Sequence, residues 1–153
     1  MSDTIDRRRL LIPAFGGFYA GLAQYSYAFM RFATGAVLVP HGVMKLFYGA
    51  AAGTAKGALG GLGPELSIAV AYLVGGVELF GALFLAIGLF TRLAALSIVI
   101  EMAVIITVFL WPNGYFWTDR GYEYALLWLL LSLAILARGG GQFSIDRLLP
   151  REI

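Results

Sequence analysis

The chain has 153 residues, 60% of them hydrophobic and only 13% charged, with a formal net charge of +2 and no cysteine. A soluble domain carries about 25% charged residues, so this composition leaves too little charge for a water-facing surface. That excludes a disordered chain, a nucleic-acid-binding module and an ordinary cytosolic enzyme. The lack of cysteine excludes a disulfide scaffold, a cysteine-ligated metal, an iron–sulfur cluster and thiol chemistry. The expected class is an all-α integral membrane protein, with residues 1–153 forming one domain and lipid as its first partner.

In chain order, Arg7, Arg8 and Arg9 precede an apolar stretch, residues 10–23, that imitates a signal peptide. Pro13, Gly16, Gly17 and Gly21 make this stretch a poor spanning helix, and it is read as an interfacial segment on the inner leaflet. The alternative, a fifth span, is disfavoured because no turn signal separates it from the residues that follow. Four later stretches reach the length of about 20 apolar residues that a spanning helix needs: residues 25–48, 66–90, 93–111 and 121–137. Short connections predict that they pack as an up-and-down four-helix bundle.

Between the first two spans, Gly49, Gly53, Gly57 and Gly61 recur at fours. This is read as a flexible connection ending at Pro64 rather than a close-packing helix face. Trp111, Tyr115, Phe116 and Trp117 gather at the far end of the third span, where an aromatic belt belongs. After the fourth span, residues 139–141, all glycine, read as a helix stop. Residues 144–147 read as a cap and a short amphipathic turn on the membrane surface. Arg7, Arg8, Arg9, Arg92, Arg138, Arg147 and Arg151 fall on one side, against Lys56 and Arg120 on the other. The positive-inside bias therefore predicts that both termini are cytoplasmic.

Six ionisable side chains fall inside the predicted spans: Arg31, His41, Lys45, Glu78, Glu101 and Glu123. Each is costly in hydrocarbon, which makes it a functional candidate by default. Counting about 1.5 Å of rise per residue from the cytoplasmic side puts Arg31 and Glu101 at depths of roughly 9 and 13 Å. His41 and Glu78 come at roughly 24 and 20 Å, and Lys45 and Glu123 both at roughly 25–30 Å. Depth therefore predicts two intramembrane pairs, Arg31 with Glu101 and Lys45 with Glu123. His41 and Glu78 remain as a titratable pair that, with Arg31, can hold a polar ligand head such as a quinone carbonyl and exchange its proton. The competing reading is a satisfied hydrogen bond between two helices. Arg31, Gly35, Leu38, Gly42 and Lys45 form one stripe of the first span, with His41 on its margin. Glu78 sits among Ala71, Gly75, Gly81 and Ala82, small residues that let helices approach and turn the acid inward. A single histidine excludes bis-histidine haem, and there is no metal or nucleotide motif.

The order of these residues resembles the DoxX family of small four-helix membrane proteins. The first span carries Arg31, Gly35, His41-Gly42 and Lys45-Leu46, similar to the family's Arg, Gly and HG-x-x-K pattern. The second carries Gly75-Gly76-Val77-Glu78-Leu79-Phe80-Gly81, followed by the turn Gly88-Leu89-Phe90-Thr91-Arg92. The fourth opens on Gly121-Tyr122-Glu123-Tyr124, and the tail Gly139-Gly140-Gly141-Gln142-Phe143-Ser144-Ile145-Asp146 is similar to the family's ending. The likeness runs over about residues 26–147. Two departures stand out: the histidine that relatives often carry late in the third span is replaced within residues 108–111, and Gly140 replaces a commoner proline.

The resemblance implies a multi-pass protein of the prokaryotic cytoplasmic membrane, acting as a subunit of a redox complex in contact with the quinone pool. The alternative is a non-catalytic accessory subunit packed against a larger membrane complex. A small-solute transporter is weaker, because no inverted repeat is visible.

Overall fold

The first long helix, α1 (Gly16–Phe47), runs unbroken through Pro40 for 32 residues, or about 48 Å at 1.5 Å per residue. In the computed structural model, which describes residues 6–150, four further helices follow. They are α2 (Ala50–Lys56), α3 (Pro64–Ile87), α4 (Thr91–Asn113) and α5 (Glu123–Arg138). No strand occurs among the described residues. Arg151 and the side chain of Arg7, both counted above among the basic residues of one side, lie outside the described residues.

α3 and α4 are each long and apolar enough to cross a membrane. Only 28% and 33% of their most apolar stretches are buried within the chain, whereas the core helix of a soluble protein is mostly buried. The residues that do pack inward are small or medium: Leu38, Ala82, Leu85, Ala94, Ala95, Ile98, Met102, Ala125 and Ile135. Large apolar side chains such as Phe29, Leu73, Ile100, Val108 and Leu130 point outward. This inverted distribution suits a solvent that is itself hydrocarbon.

α1 packs along the length of α3, α3 turns back onto α4, and α4 makes its main contact with α5. Glycine sets the first of these interfaces. A Cβ at Gly35 would collide with the backbone of Ala82 and Ala86, and one at Gly42 with the backbone of Gly75, Glu78 and Leu79. Both positions lie on the buried stripe of α1, together with Arg31, Thr34 and Leu38.

Two expectations are corrected. Residues 10–23 are not a separate segment: Pro13–Phe15 form a 3-10 turn, and α1 begins directly after it at Gly16. Residues 17–26 are exposed all round, so these first turns project beyond the point where the Tyr27 hydroxyl donates to the Gly139 carbonyl. The glycine-rich connection is also folded. Ala51, Ala55 and Leu59 are buried against Ala71 of α3, and the Ser67 hydroxyl donates to the Leu59 carbonyl at 2.6 Å. Gly49, Gly53 and Gly61 face open space, so the alanines between the glycines make the packing face.

Turn chemistry accounts for the other helix ends. Pro64 opens α3 at N1, where no amide hydrogen is needed. Gly88 ends it in the left-handed region at φ 73°. Gly139 ends α5 at φ 79°.

Candidate functional site

Three ionisable side chains from three different helices meet inside the helical assembly. Lys45 of α1 reaches Glu78 of α3, its Nζ lying 2.6 Å from Oε1 and 2.5 Å from Oε2. The Lys45 side chain is 15% exposed and that of Glu78 only 5%, which makes this a buried, two-pronged ion pair. Glu101 of α4 is 8% exposed and lies within electrostatic reach of both Glu78 and Lys45. Neither of its carboxyl oxygens has a hydrogen-bond partner among the described residues. The cluster therefore holds one base and two acids.

The backbone is irregular on both sides of this cluster. Val77–Gly81, which contains Glu78, is a π-helical turn in α3, and Ile105–Leu110, just after Glu101, is another in α4. Such turns widen a helix, break its side-chain register and occur often at functional sites. Between them lies an open groove of about 740 Å³, walled by α3, α4 and the segment after α2. Its lining is apolar except for Ser97 and Glu101, and the Ser97 hydroxyl is already donated to the Ala94 carbonyl at 2.8 Å.

The depth-matched partners do not meet as expected. Arg31 does not reach Glu101. It lies at the turn between α3 and α4, where its guanidinium donates to the Phe143 carbonyl at 2.7 Å and feels the charge of Asp146. Arg31 is midway along α1, and its long side chain carries the charged head toward the C-terminal segment. Lys45 bonds Glu78 rather than Glu123, because the close approach at Gly42 brings α3 beside it. Glu123 begins α5, and its carboxylate accepts from the Trp117 amide at 3.1 Å. His41 is exposed and turned toward α5, its ring edge-on to Trp128 with centroids 6.4 Å apart. It and Glu78 are not brought together. No group of metal-ligating side chains occurs among the described residues.

The sequence places a cap within residues 144–147 but does not show that it serves a helix start far away in the chain. Asp146 is 4% exposed and accepts from the Phe90 and Thr91 amides at 2.6 and 2.9 Å. It caps the start of α4 from 55 residues away, satisfying amides that a helix start leaves open. Its own amide donates to the Gly88 carbonyl at 2.8 Å, and Arg92 answers by donating to the Leu136 carbonyl at 2.7 Å at the end of α5.

The DoxX family model matches residues 26–111, from α1 through most of α4 and including all three members of the buried cluster. The chain belongs to the DoxX family. A DoxX protein is a membrane protein, in keeping with the two long apolar helices. Among its relatives is a Haemophilus influenzae protein described as uncharacterized, 33% identical over 126 residues, or 80% of this chain and 89% of that protein. A second uncharacterized Haemophilus influenzae protein is 32% identical over 76 residues, covering 50% of each chain. No solved structure matches the chain. The Gly121-Tyr122-Glu123-Tyr124 motif and the glycine-rich tail lie beyond the range that the family model matches.

Proposed function

We propose that this DoxX protein is a four-span subunit of the prokaryotic cytoplasmic membrane, part of a redox complex that contacts the quinone pool. The observation that carries the reading is the convergence of Lys45, Glu78 and Glu101 from three helices next to an apolar groove. Ionisable groups held in hydrocarbon by protein mark ligand or proton pathways, and a quinone needs both an apolar channel and a proton-exchanging group at its head. In this reading Glu78 remains a proton-handling residue, with Lys45 rather than His41 as its partner. Arg31 holds the C-terminal segment, and His41 faces the surface between α1 and α5.

The distribution of basic and aromatic residues supports a topology for this reading. Arg31, Arg92, Arg138 and Arg147 gather with the C-terminal segment at one end. Trp111 stacks on Tyr122, and Tyr115 meets Tyr122 edge-on, at the opposite end. The basic end then faces the cytoplasm, with both termini on that side.

The test is purification in mild detergent, followed by identification of bound quinone and of co-purifying redox subunits. Quinol-linked turnover is then compared between wild type and Glu78→Gln at equal membrane levels. The reading expects bound quinone and lost turnover in the variant. Absent quinone, or full turnover in the variant, contradicts it.

One observation favours the alternative of an accessory subunit. Phe18, Tyr19 and Leu22 are exposed on the projecting first turns of α1, a surface suited to a partner subunit. Co-purification of a partner that is lost on Leu22→Glu, with quinol turnover indifferent to Glu78, would support that alternative.

A further inference from the structure

The groove beside Glu101, which the redox reading gives to a quinone, has a chemical bias toward a different ligand. Its walls are apolar along Leu62, Leu73, Val77, Val104, Val108 and Phe109, and its polar lining is confined to Ser97 and Glu101. Ser97 has given its hydrogen to the Ala94 carbonyl. Lys45 is committed to Glu78 by both carboxylate oxygens. Glu101 is thus more than nine-tenths buried, with two oxygens that accept from nothing among the described residues. The groove offers the two unpartnered oxygens of a buried carboxyl group, and its lining includes no basic side chain.

From this we infer that the groove between α3 and α4 binds a lipophilic amine. The protonated nitrogen donates to the Glu101 carboxylate and the hydrocarbon body lies along the apolar walls. A lipid acyl chain or an alcohol would fill the same apolar space but bring no cation for the carboxyl group to ionise against. A fatty acid would bring a second anion to it. A buried carboxylate rewards a cation most, because a charge-assisted hydrogen bond is about twice as strong as a neutral one. The π-helical turns at Val77–Gly81 and Ile105–Leu110 both contribute residues to the groove wall beside the acid. An amine and a quinone would compete for this one groove, and amine binding here does not rest on the redox reading.

The test uses the full chain in nanodiscs of zwitterionic lipid, with radiolabelled decylamine as the probe and decanol and decanoate as competitors. Saturable binding of one decylamine per chain is expected, with decanol weaker by roughly tenfold or more, as the loss of one charged hydrogen bond requires, and decanoate without effect. Glu101→Gln keeps the shape of the side chain and should reduce decylamine to the affinity of decanol. Val108→Trp, at an exposed position on the groove wall, leaves the acid intact and should abolish saturable binding by filling the space. It keeps the test alive if Glu101→Gln fails to accumulate. Equal affinity for decanol and decylamine, unchanged binding in Glu101→Gln, or unchanged binding in Val108→Trp would each overturn the inference.

Discussion

The two polar regions of this protein are built on opposite terms. At the arginine end, charges and helix ends answer one another: Asp146 takes the Phe90 and Thr91 amides, Arg92 takes the last carbonyls of α5, and Arg31 holds the Phe143 carbonyl. Away from that end, Lys45 in the last turn of α1 and Glu78 of α3 close on each other while Glu101 is left open beside a groove. The first arrangement ties α1 and the C-terminal segment around Phe143 and Asp146 to the turn between α3 and α4, which is a structural task. The second keeps an unanswered acid where each such group is costly, and folding alone gives no reason to retain it.

Substitutions separate the two regions, and the largest effect is expected at the closed pair. Lys45→Ala leaves Glu78 buried without its partner and should cost about 3–5 kcal/mol, read as a lower midpoint in thermal unfolding in detergent. Replacing both members, as in Lys45→Met with Glu78→Leu, should recover most of that loss while removing any proton exchange. Next comes Gly42→Leu, which drives a side chain into the backbone of α3. It should cost about 1–3 kcal/mol or more from overpacking, and pull Lys45 away from Glu78. At the arginine end, Asp146→Ala opens two amides at the start of α4 and should cost about 1–2 kcal/mol. Hydrogen exchange should quicken at residues 90 and 91 while the middle of α4 stays protected. The smallest effect, and the one of opposite sign, is expected for Glu101→Leu. Replacing an unpaired buried acid by a hydrocarbon side chain should raise stability by about 1 kcal/mol, because no bond within the chain is lost.

The helices themselves were largely legible in the sequence. Pro64, Gly88 and Gly139 punctuate the apolar runs, and α3, α4 and α5 end within three residues of the expected limits. The start of α1 was not legible, because Gly16, Gly17 and Gly21 argue locally against a helix that continues anyway into its buried stripe. The charge pairs were misassigned for a different reason. Depth is one coordinate, and Lys45 and Glu123 share it, but the choice of partner depends on which helices touch. Gly35 and Gly42 decide that by admitting the α3 backbone. The inward turn of Glu78 could be read from Ala71, Gly75, Gly81 and Ala82 around it. The Ala51, Ala55 and Leu59 stripe carried a helical period that the interleaved glycines concealed. Asp146 had no local signal as a cap for α4, since the amides it satisfies lie far away in the chain.

The central claim is that Glu101 is retained for a ligand and not for the fold. It is tested most directly by thermal unfolding of wild type and Glu101→Leu in nanodiscs, each with and without decylamine. The account predicts that the variant melts higher than wild type without the amine, and that only wild type is shifted upward by adding it. A variant that melts lower, or one stabilised by the amine as much as wild type, would contradict the claim.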